Sequence, residues 1–225
     1  MNRIAQRNSH IVATDDVIEL WGADTAANVQ KVIWFLHELG LDFRAHGVGY
    51  PAELERDAVY LANRDVRSSP VLRIDDFVLW EGNTIVRYIA DRYGDGRFYS
   101  RDLAQRADIQ RWMDYQLSTI RGPLHALIRD ALKPHEVKKR AAALAAAMEP
   151  VEETLKRQPY LAGETFTIGD IPVGITTFRW SVLDVPKPPS PAIDAWLSRL
   201  AERPAFAKAV RAPRGANVAL VQESR

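Results

Sequence analysis

The stretch SPVLRIDDFVLWEGNTIVRYIADRYG, from Ser69 to Gly94, decides how this chain folds. Pro70 opens a short apolar run, Val71 to Ile74, and Asp75-Asp76 supplies a polar turn before a second run, Phe77 to Trp80. Glu81-Gly82-Asn83 then breaks the strand pattern, and Ile85, Val86, Ile89 and Tyr93 return at helical spacing. The stretch predicts two strands joined by a tight turn and followed by a helix, a β-β-α unit.

Working upstream, Val17-Ile18-Glu19-Leu20-Trp21 alternates and is rich in strand formers, with Gly22 ending it. From Ala26 the apolar positions Val29, Val32, Ile33, Leu36 and Leu39 predict a helix that Gly40 stops in the left-handed conformation. Leu41 to Val48 reads as a second strand parallel to the first, because strand, helix and strand in this order favour a right-handed crossover. Residues 50 to 68 are irregular and charged, with one short helix expected at Ala52 to Leu61. Residues 1 to 16 are polar and without period, as expected of a loose arm.

Downstream, Tyr93-Gly94-Asp95-Gly96 predicts a turn and a boundary. From Asp102 to about Leu132 the set Ile109, Trp112, Met113, Leu117, Ile120, Leu124, Leu127 and Ile128 keeps a helical period, closed by Lys133-Pro134. A second helix follows through Val137, Leu144, Met148, Val151 and Leu155, with a kink or break expected at Pro150. Thr167 and Asp170 form a capping box, with Phe166 and Ile171 as its hydrophobic staple. A last helix carries Trp196, Leu197 and Leu200. Four segments result: an arm (1–16), a mixed α/β domain (17–95), an all-helical domain (100–210) and a tail (211–225).

Composition narrows the function. Thirty Lys and Arg against 29 Asp and Glu leave a formal charge of +1, and no basic stripe with interleaved aromatics appears, so no nucleic-acid partner is expected. No run reaches the roughly 18 to 20 apolar residues of a spanning helix, and no signal segment opens the chain, so no membrane partner and a cytoplasmic location are expected. Cysteine is absent, which removes disulfides, thiolate metal sites and any sulfur nucleophile of the protein's own. The five histidines lack ligand spacing, and no metal is expected.

The order P-V-L, turn, V-L-W-E, N-x-I-x-x-Y-I-A resembles the glutathione-binding half of the cytosolic glutathione S-transferases, and the chain is similar to their bacterial members of theta, nu and beta type from Val17 to about Val210. The resemblance implies an N-terminal thioredoxin-like domain (βαβ-ββα) followed by an all-helical C-terminal domain. Tyr160-Leu161-Ala162-Gly163 with the Thr167 box looks like the signature opening that family's buried central helix, a folding element. The chemistry implied needs the thiol of a bound tripeptide, with an unperturbed pKa near ~8.5, to be ionised at neutral pH. Each unit of lowering takes about 1.4 kcal/mol of preferential stabilisation of the thiolate.

In serine-type members a serine just before the first helix aids this ionisation, and counting back from Gly40 that position is Ala26. Asn28, where other bacterial members place a cysteine or asparagine, is the first choice for a donor to the thiolate, and Thr25 is the second. Both residue types also cap helices well. Pro70, if cis, turns Ser69 so that its backbone pairs with a peptide-like ligand; if trans, it only opens a strand. Glu81 either accepts from the ligand's α-amino group or complements the helix dipole. Gly82 stands where a serine is common and offers only its N–H. The loop before Pro70 departs from the family pattern, leaving Arg67 as a donor beside Ser68. Trp112, Tyr115, Arg179 and Trp180 are the candidates for a second-substrate pocket, although the tryptophan spacings equally suit core packing. Arg179, among apolar neighbours, wants an anion, either a carboxylate such as Asp114 or the thiolate or leaving group itself.

The implied activity is transfer of an alkyl or aryl group (other than methyl) to glutathione, with glutathione as substrate, a small hydrophobic electrophile or peroxide as partner, and a homodimer as the working form. Two alternatives share the fold. One is a non-catalytic protein that binds glutathione or hydrophobic ligands. The other is a disulfide reductase that uses two glutathiones, since the chain has no sulfur for a mixed disulfide.

Overall fold

The computed structural model describes residues 15–47, 70–129 and 132–212. Four short strands form one sheet: β1 (Ile18–Trp21), β2 (Arg44–Ala45), β3 (Val71–Ile74) and β4 (Phe77–Trp80), in the order β2-β1-β3-β4. β2 runs parallel to β1, and β3 and β4 are antiparallel to their neighbours. β2 is therefore where the crossover argument places it, though shorter. Alternation sorts the side chains: Ile18, Leu20, Leu72 and Ile74 join the main core, whereas Trp21, Val71, Val78 and Trp80 cluster apart from it. The expected helix at residues 52–61, the arm before Asp15 and the tail beyond Ala212 lie outside the described residues, as do Arg67 and Ser69.

Helix α1 (Ala27–Leu39) ends at Gly40 with φ 66°, the left-handed stop expected of it. Its N-cap is Ala26, and every residue from Val29 to Leu36 is buried. All-round burial follows from its position, because α1 packs against α2 (Gly82–Tyr93) and also against two helices of the second half, α6 (Asp170–Ser181) and α8 (Pro204–Ala209). One apolar core consequently runs through both halves. Glu38 strengthens the junction: it accepts from Trp34 Nε1 at 2.7 Å and from Arg203 Nε and Nη2, each at 2.7 Å. The Arg203 guanidinium also lies 3.9 Å from the ring centre of Phe166.

The remaining elements are α3 (Leu103–Tyr115), a π-helical segment (Gln116–Ile120), α4 (Arg121–Arg129), α5 (Pro134–Leu155) and α7 (Pro191–Ala201). Three details depart from sequence expectation. The helical period across Leu117 is broken by the π segment, in which Arg121 N–H bonds Gln116 O. The extra residue in that turn rotates the inward face by one position, so Gln116 is buried (3% exposed) and Leu117 is 42% exposed. Helix α5 runs through Pro150 without interruption. Its final turns are held by burial of Met148, Val151, Glu152 and Leu155, and the Glu152 carboxylate accepts from Ala192 N (3.2 Å) and Ile193 N (2.9 Å) at the start of α7. Tertiary contact thus offsets the lost proline hydrogen bond. Finally, Pro204 opens α8, a short helix that hydrophobic period alone did not reveal.

Asp170 organises the second half. Thr167 N–H and Oγ1–H donate to its Oδ2 at 2.9 and 3.1 Å, and Leu161 N–H and Trp196 Nε1–H donate to its Oδ1 at 3.0 and 3.2 Å. The acidic half of the expected capping box is thus present, although regular helix begins only at Asp170. Burial pushes the carboxyl up to about 6, against the hydrogen bonds that hold it down. Asp170→Ala would strand four buried donors, and unfolding in urea should show a loss of roughly 3 to 5 kcal/mol. A loss below about 1 kcal/mol would mean that the carboxylate is not the hub of this half.

Candidate functional site

The starts of α1 and α2 meet. A Cβ placed on Gly82 would lie 2.9 Å from Asn28 O and 3.3 Å from Asn28 Cβ, closer than side chains tolerate. An approach this close requires glycine at this position in this chain. Glu81, immediately before, adopts φ 70° and ψ 109°, a conformation that costs a residue with a side chain about 1 to 3 kcal/mol. The surrounding packing holds that strained residue exposed beside the two helix starts.

Both starts leave backbone N–H groups without helical partners, and their dipoles place partial positive charge there. Neither first turn contains an acidic residue, and no side chain caps either helix. The capping alternative for Thr25 and Asn28 is thereby set aside: Ala26 is the cap residue and lacks the means. Both Thr25 and Asn28 are partly accessible. Such a convergence of unfilled N–H donors suits an anion.

The loop leading into α1 is gripped from the second half of the chain. Arg179 Nη2–H donates to Thr25 O and, at 3.2 Å, to Gln30 Oε1. Gln30 Nε2–H donates in turn to Asp24 O at 2.9 Å. Burial lowers the Arg179 guanidinium to about 10, and its Nε–H is buried without a partner among the described residues. The expected carboxylate partner is not Asp114, which pairs with Arg87 instead. Arg179 thus meets carbonyl and amide oxygens because α6 delivers it to the loop, while Asp114 sits on the far, exposed side of α3.

The other predicted pocket residues are distributed differently. Trp112 and Trp180 are buried in the core, with their indole N–H groups unpartnered among the described residues. Tyr115 stacks edge-on against Trp112 at 5.9 Å and donates its hydroxyl to Ala147 O at 2.9 Å, tying α3 to α5. Burial raises its phenol above the usual range. Pro70 is buried immediately before β3.

Three functional candidates, Lys31, Asn83 and Gln116, escaped sequence reasoning. Lys31, one turn beyond Asn28, is 1% exposed and donates to Asn83 Oδ1 and Gln116 Oε1, each at 2.9 Å. Asn83 follows Gly82 in the first turn of α2, and its Nδ2–H donates to Met113 O at 2.9 Å. Burial, aided by the charge of Arg121 and opposed by that of Glu81, lowers the Lys31 ammonium to about 7. A signal was present: the residues three and four positions after Lys31 are Trp34 and Phe35, which puts the lysine on an apolar helix face. Among the described residues no group of three or more His, Asp or Glu could hold a metal ion, and no helix is long and apolar enough to cross a membrane.

Comparison with known proteins bears on this geometry. Residues 20–97 match the family model for the glutathione S-transferase N-terminal domain, and residues 118–204 match that for the C-terminal domain. The chain is 33% identical over 209 residues to glutathione S-transferase GstB of Escherichia coli strain K12, covering 88% of this chain and 99% of that protein. It is 30% identical over 212 residues to glutathione S-transferase 3 of Zea mays, covering 87% and 94%. A theta class glutathione S-transferase from the citrus canker pathogen Xanthomonas axonopodis pv. citri, solved with glutathione bound, superposes with a TM-score of 0.78 at 32% identity, covering 87% of this chain and 97% of that one.

The contact at Gly82 is open to direct test. Gly82→Ser should force the two helix starts apart and lower stability by about 1 to 3 kcal/mol, read as a fall in Tm. An unchanged Tm would show that the starts separate freely.

Proposed function

Because the chain belongs to the glutathione S-transferase family, we propose that glutathione binds where α1 and α2 begin, and that its thiolate is the nucleophile in transfer to a small hydrophobic electrophile. The observation that carries this reading is the approach of Gly82 to Asn28, too close for a β-carbon, which brings two helix starts without side-chain caps to one place. A peptide with two carboxylates and a thiol suits such a place: one carboxylate takes the N–H groups of Gly82 and Asn83, and the sulfur takes the start of α1. Glu81, exposed and held by its strained backbone, accepts from the ligand's α-amino group. Pro70 turns the backbone just ahead of β3, and the tripeptide backbone pairs there.

The protein lowers the thiol pKa with what it has. A helix start contributes about 0.3 to 1 kcal/mol to a nearby anion, or up to ~2 when partly buried. Asn28, whose amide caps nothing, supplies a further donor, with Thr25 as the second. Ala26 contributes no hydroxyl. In the reaction the thiol proton leaves to solvent, a bond forms between sulfur and the electrophilic carbon, and the leaving group departs with its electron pair. Arg179, anchored to Thr25 O, holds the loop in place during this step and brings positive charge to the electrophile's side. The working form is a homodimer, consistent with the exposed apolar side chains of Phe77 and Leu117, and the reducing cytoplasm supplies the thiol.

Titration of the ultraviolet thiolate band of bound glutathione checks this assignment. The bound thiol should ionise at least one unit below free glutathione, and Asn28→Ala should recover about one unit of that shift, equivalent to about 1.4 kcal/mol. Saturable binding with an unshifted pKa would instead identify a non-catalytic binder, the reading favoured by the missing hydroxyl at Ala26.

A further inference from the structure

Lys31 occupies the floor beneath the two helix starts. Asn28 precedes it by one turn of α1, and its acceptor Asn83 is the second residue of α2, adjacent to the Gly82 that touches Asn28. Its other acceptor, Gln116, is turned inward by the π segment of the helical half. Both acceptors are neutral amides, and among the described residues no carboxylate forms an ion pair with the lysine. A buried ammonium without a counter-ion is a costly arrangement unless a charge arrives from outside.

We propose that the Lys31 ammonium is the buried counter-charge of the anionic ligand held at the starts of α1 and α2, and that Lys31 takes up a proton as that ligand binds. The inference rests on the glutathione reading and adds to it a residue that positions and retains the ligand without touching it. Asn83 is the link: its backbone N–H faces the ligand, and its side-chain oxygen receives the Lys31 N–H. A ligand carboxylate at the first turn of α2 therefore sits one residue from the ammonium and favours its charged form.

The surrounding charges fit this role. Acting on Lys31 are Arg121 from α4, Arg179 from α6 and Arg87 from α2, all disfavouring its charge, and Glu81 at the start of α2, which favours it. Asp114 of α3 is occupied by Arg87. On α1 itself, His37 and Glu38 lie two turns further on, facing Lys208 of α8 and Arg203 just before it. Burial and three guanidinium groups, against one carboxylate, lower the Lys31 ammonium to about 7 in the free protein. The sign follows. Below about pH 6 the lysine is charged with or without ligand, and binding moves no proton. Above about pH 7 the free protein has lost that proton and the complex regains it, so affinity falls as pH rises.

S-methylglutathione separates this proton from that of the thiol, because its sulfur cannot ionise. Calorimetric titration of the full chain with S-methylglutathione, in buffers of different ionisation enthalpy, should show uptake of a substantial fraction of a proton per site at pH 8 and almost none at pH 5.5. Affinity should fall about three- to tenfold between pH 6 and 8.5. Lys31→Met should abolish the uptake and flatten the affinity profile. In the unaltered chain, NMR of lysines labelled at Cε should show one lysine titrating near neutrality and moving upward when S-methylglutathione is added, which requires no variant to fold. Binding without proton uptake, uptake retained in Lys31→Met, or a neutral-range lysine that ignores the ligand would each overturn the inference and leave the glutathione reading intact. Absence of saturable binding by the unaltered chain at every pH would overturn both.

Discussion

The approach of Gly82 to Asn28, too close for a β-carbon on the glycine, is the constraint from which the rest of the candidate site follows. Two helices can share one anion-binding locus only if their first turns come within van der Waals distance, and a β-carbon on the second helix would prevent it. Where they meet, no side chain caps either start, and neither first turn carries an acidic side chain. Glu81 absorbs the backbone strain of the junction at φ 70°. The site is built from main chain, and side chains tune it.

The same contact needs support from behind, and this explains why polar residues occupy the most buried stretch of α1. Gln30 and Lys31 lie between the thioredoxin-like half and the helical half, and each engages both. Gln30 braces the loop before α1 while receiving Arg179 from α6. Lys31 bridges Asn83 of α2 and Gln116 of the π segment. Partnering buried polar groups of this kind matters, since each unpaired one costs about 1 to 3 kcal/mol. Such a network favours one relative placement of the two halves over a sliding apolar interface.

The helical half supplies rigidity through trans-acting carboxylates. Asp170 gathers donors from three separate segments, and Glu152 serves the open N–H groups at the start of α7. These contacts hold α6 in place, and α6 in turn delivers Arg179 to the loop at Thr25. Folding elements distant from the candidate site thereby set the position of the loop before α1.

Much of this architecture is legible in local pattern. The β-β-α unit, the α1 period with its Gly40 stop, the turn at Gly94 to Gly96 and the Thr167-Asp170 motif each express a preference of a few neighbouring residues, and neighbours are what a sequence records. The identity of Ala26 likewise predicted that the first helix would begin without a hydroxyl. What local pattern could not decide is which residues other elements would cover. Leu117 and Gln116 exchange faces because one extra residue enters a turn, Pro150 is tolerated because distant groups hold the helix on either side of it, and Lys31 becomes a buried cation only when α2 and the π segment close over it. Spacing along the chain sets which side chains share a face; the depth of burial and the charges that surround it depend on elements brought together from far apart, and only the tertiary structure decides them.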